Sequence, residues 1–404
     1  MTSPRGILLL SVLIVLASCL VLTCKKDNDN KEHGKLAWKK TFGGVERDGG
    51  SSVQQTPDEG FMIAGYTWSS GSGMDDVYLV RTDAAGGELW AKTVGGPGSD
   101  WAESARLLPD GGFIIAGATN SFGAGGLDVY LVRIVQNGDT LWTRTYGGPD
   151  DDWGFSVQLT NDGGYVIAGM TQSFGEGGCD VYLLRTDSLG DTVWTRTYGG
   201  ADDDWGFSVR TTLDGGYVVS GWTESFGAGR HDALLVKIDS RGNEQWRKTY
   251  GGSREEWGFS VEQTMEGGYI VAGYTWTYGD PRSQVYLVGT NEDGDSVWTK
   301  NYVGTCHNWG VSVARAADSG YVVVGSSEPA SGSSHLDSHT QTCGIGDSSA
   351  VFLMRLDARG DTLWTRTYAT GDDEYGRDGC QTLDGGYVIV GGSGGNAMLL
   401  KASP

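Results

Sequence analysis

The sequence is short of proline and of basic residues, and no stretch of it keeps a helical period over three turns. It has 8 prolines beside 67 glycines, unlike a proline- and glycine-rich linker, and the glycines follow no three-residue period, which excludes a collagen helix. The 30 basic residues against 51 acidic ones leave a net charge of −21. Because so acidic a chain repels phosphate groups, we expect no nucleic-acid partner and no polybasic contact with a membrane.

Familiar catalytic motifs are missing too. The sequence contains no Gly-x-Ser-x-Gly elbow, no His-Glu-x-x-His and no phosphate-binding loop. Carboxylates are abundant, but none stand out as the pair that a glycoside hydrolase places about 5–10 Å apart. The sequence therefore favours a protein that has no cofactor and is not an enzyme.

The first 24 residues predict an export signal. Arg5 precedes the apolar run Ile7–Ala17, which is too short to span a bilayer by itself. The segment Leu16-Ala17-Ser18-Cys19 resembles a bacterial lipobox, whose cysteine becomes the lipidated first residue of the mature protein. Cys24 is the alternative lipidation site, and an uncleaved anchor over Ile7–Thr23 is the alternative to lipidation.

We therefore expect three segments along the chain. They are a lipoprotein signal peptide and anchor at residues 1–24, a polar tether at 25–34 and a folded domain at 35–404. Lipid at Cys19 would hold the domain to the outer membrane of a bacterial cell envelope, on the periplasmic side or at the cell surface. The lipid would be its only membrane contact, and the compartment permits disulfides.

Tryptophan recurs at a fixed interval, and this repeat is the strongest signal in the chain. The first series is Trp38, Trp90, Trp142, Trp194, Trp246, Trp298 and Trp364. Its step is 52 residues except for the last, which is 66, or one repeat with 14 residues inserted. The second series has the same step and consists of Trp101, Trp153, Trp205, Trp257 and Trp309. Because packing explains a side chain that recurs in nearly every unit, we expect both series in the core.

One repeat contains four strand-like runs. In the third copy these runs are residues 153–159, 165–170, 180–185 and 191–198. Asp162-Gly163-Gly164, between the first two runs, is a hairpin signal. Four antiparallel strands repeated at this length are typical of a β-propeller blade, whereas a parallel β-helix has shorter rungs and no such hairpins.

The two ends of the domain predict how the ring closes. Residues 35–42 have the sequence of a fourth strand, whereas residues 396–401 are a third strand with no fourth after it. If the N-terminal strand completes the last blade, the ring is closed and avoids the exposed sheet edges that an open array of blades would have. First strands begin near residues 49, 101, 153, 205, 257, 309 and 375. We therefore expect an all-β, seven-bladed propeller with four antiparallel strands per blade, and a monomer.

The repeat resembles those of bacterial secreted and lipoprotein β-propellers. The resemblance rests on Asp162–Met170, Asp180–Asp187 and Asp191–Gly200, and it covers about Leu36–Lys401. It implies the fold and no particular chemistry, although some members carry an endoglucanase-type label. Asp187-x-x-Gly190-x-x-x-Trp194 is also similar to the tryptophan-docking motif of quinoprotein propellers, which packs neighbouring blades together and does not imply a quinone cofactor here.

The loops between blades and those from second to third strands lie on one face, which we call the top face. Variable loops on a rigid scaffold are where function usually lies. The acidic interblade segments are Asp100, Asp150–Asp152, Asp202–Asp204, Glu255–Glu256 and Asp372–Glu374. Converging carboxylates could bind Ca²⁺ or a cationic ligand, and the alternative is that they cap backbone amides of their own loops.

Aromatic residues on the top face are ligand-binding candidates. Trp68 and Trp276 share one repeat position, where other blades have Asn120, Gln172 and Glu224. Flat rings beside carboxylates and amides suit sugar rings. A second set recurs in the following loop, where packing onto the neighbouring blade is the better interpretation. That set is Phe122, Phe174, Phe226 and Tyr278.

The sixth blade departs from the repeat. Its top loop, Glu328–Ser348, contains the insertion, and the interblade loop before it contains Cys306 and His307. We expect a disulfide between Cys306 and Cys343. The ligand-binding candidates here are His307, His335, Asp337 and His339. Their spacing is too weak a pattern to predict a metal site.

These features favour a non-catalytic binding or scaffold module on the cell envelope, with a polysaccharide or a protein as its ligand. One alternative is a polysaccharide-degrading enzyme with its site on the top face. Another is an assembly scaffold for outer-membrane proteins, which would add a peptide at a blade edge or face.

Overall fold

The computed structural model describes residues 33–277, 283–302, 306–328 and 348–404. They belong to one compact unit, His33–Pro404, built from strands and turns. In this part of the chain no helix is long and apolar enough to cross a bilayer. The predicted lipidation sites, Cys19 and Cys24, and the tether up to residue 32 lie outside the described residues.

Each repeat folds into one four-stranded antiparallel sheet, and seven such sheets confirm the predicted seven-bladed β-propeller. Blades one to three contain β2 Asp48–Gln55, β3 Phe61–Thr67, β4 Asp76–Thr82, β5 Glu88–Val94, β6 Asp100–Leu107, β7 Phe113–Thr119, β8 Asp128–Ile134, β9 Thr140–Tyr146, β10 Asp152–Leu159, β11 Tyr165–Thr171, β12 Asp180–Thr186 and β13 Thr192–Tyr198. Blades four to six contain β14 Asp204–Thr211, β15 Tyr217–Thr223, β16 Asp232–Ile238, β17 Glu244–Tyr250, β18 Glu256–Gln263, β19 Tyr269–Thr275, β20 Gln284–Thr290, β21 Ser296–Tyr302, β22 His307–Arg315, β23 Tyr321–Glu328, β24 Ala350–Leu356 and β25 Thr362–Tyr368.

The seventh blade is closed by the first strand of the domain. It contains β26 Glu374–Gln381, β27 Tyr387–Ser393 and β28 Asn396–Ala402, with β1 Leu36–Phe42 as its outer strand. The strand β1 runs antiparallel to β28, with Lys39 opposite Leu400 and Phe42 opposite Ala397. This pairing confirms the predicted closure through the N-terminal strand.

The hydrophobic core lies between neighbouring blades. One cluster packs Met62 and Leu79 of blade one against Phe113 and Tyr130 of blade two, and the same arrangement recurs around the ring. The middle strands are apolar on both faces, and every residue of β7 is buried. A strand covered on both sides by other sheets needs apolar residues at successive positions, which explains the nearly continuous apolar runs.

The first tryptophan series belongs to this interblade packing, as predicted. The ring of Trp142, on an outer strand, lies 6.3 Å from the ring of Tyr165 in the next blade. It also covers Gly190 of the Asp-x-x-Gly turn, where φ is 83° and a Cβ would lie 3.0 Å from the indole. At the next blade interface, the Tyr198 hydroxyl donates a 2.9 Å hydrogen bond to the carbonyl oxygen of Gly242, which is the equivalent of Gly190 in blade four.

The arginines at the ends of the third strands are structural as well. Arg185 is buried, donates to the Tyr165 carbonyl oxygen at 3.4 Å and forms an ion pair with Asp162 of the Asp-Gly-Gly turn. Arg133 with Asp110 and Arg355 with Asp318 repeat this pair in other blades. These side chains hold the Asp-Gly-Gly and equivalent turns in place. Those turns lie on the face opposite the top face, so the arginines do not reach the top face.

Candidate functional site

The inner strands line a central channel in successive layers. Side chains from the first strand of all seven blades enclose a cavity of about 210 Å³. The first strand of each blade is its inner strand, and it starts at the top face. The residues near its start, such as Trp101 and Trp153, therefore lie at the top mouth of the channel. Below them lies a layer formed by Ser51, Glu103, Phe155, Phe207, Phe259, Val311 and Arg377.

Serine hydroxyls connect the blades around this channel. The Val157 N–H donates to Ser104 Oγ of the preceding blade at 3.3 Å. The same bond joins Ala105 to Ser52, Val209 to Ser156, Val261 to Ser208 and Val313 to Ser260. In blade seven Asp378 replaces the serine and accepts from the Ser312 hydroxyl at 2.9 Å. Sequence reasoning missed this ring.

The second tryptophan series lies at the mouth of the channel. Its members are half-buried and belong to none of the core clusters of the described residues. The prediction that they are core residues is therefore wrong. The ring symmetry repeats a channel-lining residue as regularly as a core residue, so recurrence alone does not distinguish the two.

Stacked rings form a continuous surface at this mouth, which we call the aromatic collar. It consists of Trp101, Trp153, Phe155, Trp205, Phe207, Trp222, Trp257, Phe259 and Tyr274. The ring centroids of Trp101 and Trp153 are 5.2 Å apart, and those of Trp222 and Trp257 are 5.3 Å apart. The collar spans blades two to five.

Several polar groups of the collar have unused hydrogen-bonding capacity. Within the described residues, the buried indole N–H groups of Trp205, Trp222 and Trp257 have no acceptor. A buried donor without a partner costs about 1–3 kcal/mol, so water or a ligand oxygen would stabilise them. Beside the collar, on the same strand as Trp101, burial raises the pKa of Glu103, although the nearby Arg377 guanidinium acts against this.

The edge of the collar carries a histidine between two glutamates. The His231 ring contacts Trp222 edge-to-face at 4.6 Å. Its Nε2 lies 2.7 Å from Glu224 Oε1, and its Nδ1 lies 3.8 Å from Glu255 Oε1. Arg230 forms an ion pair of 3.3 Å with Glu255. The only sequence signal for this group is that a histidine stands where other blades have unrelated residues.

Two of the predicted ligand-binding residues lie together. The rings of Trp276 and His307 are 5.3 Å apart, and His307 is 6.4 Å from Trp309 at the channel mouth. His307 Nδ1 accepts from the Ser283 N–H at 3.1 Å. Trp68 lies in blade one, outside this group, with 47% of its surface exposed.

The remaining predictions for the sixth blade fall largely outside the described residues. His335, Asp337, His339 and Cys343 lie in the part of the top loop that the structure does not describe. Cys306 is buried and disulfide-bonded, and its pairing with Cys343 stays a prediction.

The carboxylates of the acidic interblade loops accept hydrogen bonds from their own loop and from adjacent top loops. Asp152 is fully buried and accepts from the Gly148 N–H at 2.7 Å and from the Ser173 hydroxyl at 2.8 Å. Asp151 accepts from the Leu127 N–H at 2.8 Å. This is the capping arrangement that the sequence analysis gave as the alternative. Among the described residues, no three His, Cys, Asp or Glu side chains converge to hold a metal ion.

The repeated phenylalanines of the top loops contact side chains of their own blades, whereas packing onto the neighbouring blade was predicted. Phe174 lies 5.9 Å from Tyr182, and Phe122 lies 6.0 Å from Tyr130, ring centre to ring centre. Arg247 lies over the ring of Phe226 at 4.2 Å. Tyr278, the fourth member of this set, lies outside the described residues.

No family model matches the sequence. The regulatory protein FlaEY of Caulobacter vibrioides is 25% identical in an alignment of length 282 that covers 60% of this chain and 29% of that protein. The chain thus spans less than a third of the length of this curated relative.

Solved structures with a similar fold include WD40 domains. The Pan2 WD40 domain of Neurospora crassa has a TM-score of 0.52 at 12% identity and covers 91% of this chain and 95% of its own. Sqt1 from Chaetomium thermophilum has a TM-score of 0.50 at 12% identity, and the match covers 92% of this chain and 99% of Sqt1. At such low identity the similarity shows the fold alone. The chain is a seven-bladed β-propeller repeat protein.

Proposed function

We propose that this protein is a non-catalytic binding module of the bacterial cell envelope, held by lipid at Cys19, whose aromatic collar binds a polysaccharide. The observation that carries the proposal is the continuous run of stacked rings from Trp101 to Tyr274 around the top mouth. Phe155, Phe207 and Phe259 of this surface line the channel cavity, whereas Trp222 and Tyr274 are buried behind it.

Sugar chemistry matches both features of the collar. The C–H faces of a sugar ring stack on flat aromatic rings, and its hydroxyl oxygens accept hydrogen bonds from indole N–H groups. The donors of Trp205, Trp222 and Trp257 have no acceptor in the described residues. Trp276 and His307 extend the aromatic surface towards the sixth blade.

Binding of neutral oligosaccharides by the full chain, measured by glycan array and then by calorimetry, tests this proposal. Trp205→Ala and Trp257→Ala should each weaken binding by about tenfold or more, because each removes a stacking surface of the collar. Trp68→Ala is the matched control, since it removes an exposed indole outside the collar. Unchanged affinity in both collar variants would exclude the collar as the binding site. Loss of binding in Trp68→Ala alone would place the site at blade one.

One observation favours the second candidate, a polysaccharide-degrading enzyme. Glu224 and Glu255 lie on either side of His231 beside the collar, and two carboxylates flanking a bound sugar are what glycoside hydrolysis requires. Incubation of bound oligosaccharides with wild type, Glu224→Gln and Glu255→Gln tests it. Cleavage by the wild type that both variants lose would establish the enzyme and overturn the non-catalytic proposal.

A further inference from the structure

Below the serine ring the channel has a second layer, formed in each inner strand by the residue two positions after the ring serine or Asp378. We call it the channel floor, and it consists of Gln54, Arg106, Gln158, Arg210, Glu262, Ala314 and Cys380. In three consecutive blades this residue carries nitrogen donors: two of the residues are arginines, which only donate, and the third is a glutamine, which also has one acceptor oxygen. These donors belong to Arg106, Gln158 and Arg210 of blades two to four.

The two neighbouring carboxylates are already engaged elsewhere. Glu262 forms an ion pair with Arg210, with 2.7 Å between Oε1 and Nε. Asp378 accepts from the hydroxyls of Ser52 and Ser312 and from the Val53 N–H. In the part of the chain that the structure describes, no carboxylate lies within 4.0 Å of Arg106. Its positive charge is therefore not neutralised by a direct partner.

Arg106 and Gln158 both have unused donors. One guanidinium nitrogen of Arg106 donates to the Ala105 carbonyl oxygen at 2.7 Å, which leaves its other N–H groups for the channel. Burial, and to a smaller extent repulsion by Arg210, lowers the pKa of Arg106 to about 10, although Asp378 and Glu262 act against this. The Gln158 amide nitrogen is buried and has no acceptor among the described residues.

An oxyanion satisfies all of these groups at once. Its oxygens accept several hydrogen bonds, and guanidinium groups bind carboxylate and phosphate with paired N–H donors. An apolar molecule would leave the donors unpaired, and a cation would be repelled by Arg106 and Arg210. Arg106 and Arg210 line the cavity of about 210 Å³, and Gln158 lies on the strand between them, next to the lining residue Ser156. This cavity has room for a small oxyanion, since a water molecule takes about 30 Å³.

We propose that the channel floor binds a small oxyanion between Arg106, Gln158 and Arg210. The site goes beyond the proposed function, because it shares no residue with the aromatic collar. The oxyanion is either a free ion such as phosphate or a carboxylate carried by a sugar that is bound at the collar. Both sources offer the same acceptor oxygens to the three donors.

The test measures phosphate binding to the full chain by calorimetry, in buffers whose ionic strength is matched with chloride. Wild type should bind inorganic phosphate, and Arg106→Gln should weaken binding by about tenfold to a hundredfold, as expected for loss of a charge-assisted bond. Arg241→Gln removes an exposed arginine of a turn and should bind as the wild type does. Gln158→Leu is the second variant if Arg106→Gln does not fold.

A second arm compares neutral oligosaccharides with oligosaccharides that contain hexuronic acid. If the anion is carried by a sugar, Arg106→Gln should weaken only the uronic acid ligand, and phosphate alone should not bind. If neither ligand depends on Arg106 or Gln158, the channel floor holds no oxyanion and the proposal is wrong. Loss of neutral-sugar binding in Trp205→Ala reports on the collar, so failure of one site is distinguishable from failure of the other.

Discussion

The carboxylate of Asp378 in the seventh blade accepts a 3.2 Å hydrogen bond from the hydroxyl of Ser52 in the first blade. Elsewhere in the ring a serine hydroxyl accepts from a backbone N–H at this position, as Ser104 does from Val157. Asp378 also bonds Ser312 of the sixth blade. One side chain therefore connects the last blade to both of its neighbours.

Asp378→Ala should lower the free energy of unfolding by about 2–4 kcal/mol, because it leaves buried donors of the first and sixth blades without their acceptor. Asp378→Ser restores the residue that the other blades use and should lose about half as much. Urea denaturation followed by circular dichroism measures both. Equal stability of the two variants and the wild type would show that the ring closes without this contact.

The outer strand of the last blade gives a second prediction. Deletion of residues 35–42 removes Phe42 from the core and the Trp38 ring from its contact with Phe61 at 6.1 Å. The free energy of unfolding should fall by more than about 5 kcal/mol, and the exposed edge of β28 should promote association. Size exclusion and thermal melts test this, with deletion of residues 25–32 as the control. A shortened protein that stays monomeric and as stable as the parent would contradict the role of β1.

Asp180 predicts how stability depends on pH. Burial, helped by the nearby Asp204 and Glu176 carboxylates, raises its pKa from 3.8 to about 6, although the hydrogen bond from the Glu176 N–H acts against this. The folded protein therefore holds a proton that the unfolded chain has lost between about pH 4 and pH 6. Stability contributed by this group is present below the unfolded pKa and is lost as the pH rises through the folded pKa.

Asp180→Asn should remove that loss, since an amide keeps an oxygen for the Glu176 N–H and carries no charge. We expect the variant to be more stable than the wild type above pH 6 by about 1–2 kcal/mol, after allowance for solvent screening. Thermal unfolding between pH 4 and pH 8 is the measurement. Asp191→Asn, which changes an exposed carboxylate, is the control, and parallel pH profiles for Asp180→Asn and the wild type would refute the assignment.

Lipidation at Cys19 is tested in cells by labelling with an alkyne fatty acid. Acyl transfer requires the thiol, so Cys19→Ser should abolish labelling and leave the precursor uncleaved, whereas Cys24→Ser should label normally. The opposite pattern assigns the lipid to Cys24. Normal labelling of both variants, or none in the wild type, would mean that the first 24 residues do not form a lipoprotein signal.

The fold was predictable from the sequence because the residues that recur in each repeat are those that pack the blades together. The tryptophan interval predicted the repeat, the four strand-like runs and their hairpin turn predicted the blade, and the two end segments predicted how the ring closes. The same regularity concealed the site. Trp205 recurs as Trp194 does, and the difference between them is the strand on which each lies, which decides whether a ring faces the channel or the next blade.

Departures from the repeat were the remaining signal, and they were readable only in part. Asp378 in a series of serines, and Arg106 and Arg210 at one position of the inner strand, are visible when the repeats are compared position by position. The approach of His231 to Glu224 and Glu255 is not. Glu224 lies in the same top loop as His231, and Glu255 lies in the next interblade loop; the conformation of these loops is not specified by spacing along the chain.

Closure by β1 and β28 has a consequence for the order of synthesis and folding. Leu36 pairs with Ala402, so the contact that completes the ring joins almost the first and the last residues of the domain. A nascent or exporting chain cannot form it until its final strand has emerged, and pairings so distant in sequence form slowly. On the proposed export route, the propeller would therefore cross the inner membrane as an open chain and close only in the last step, when the two ends meet.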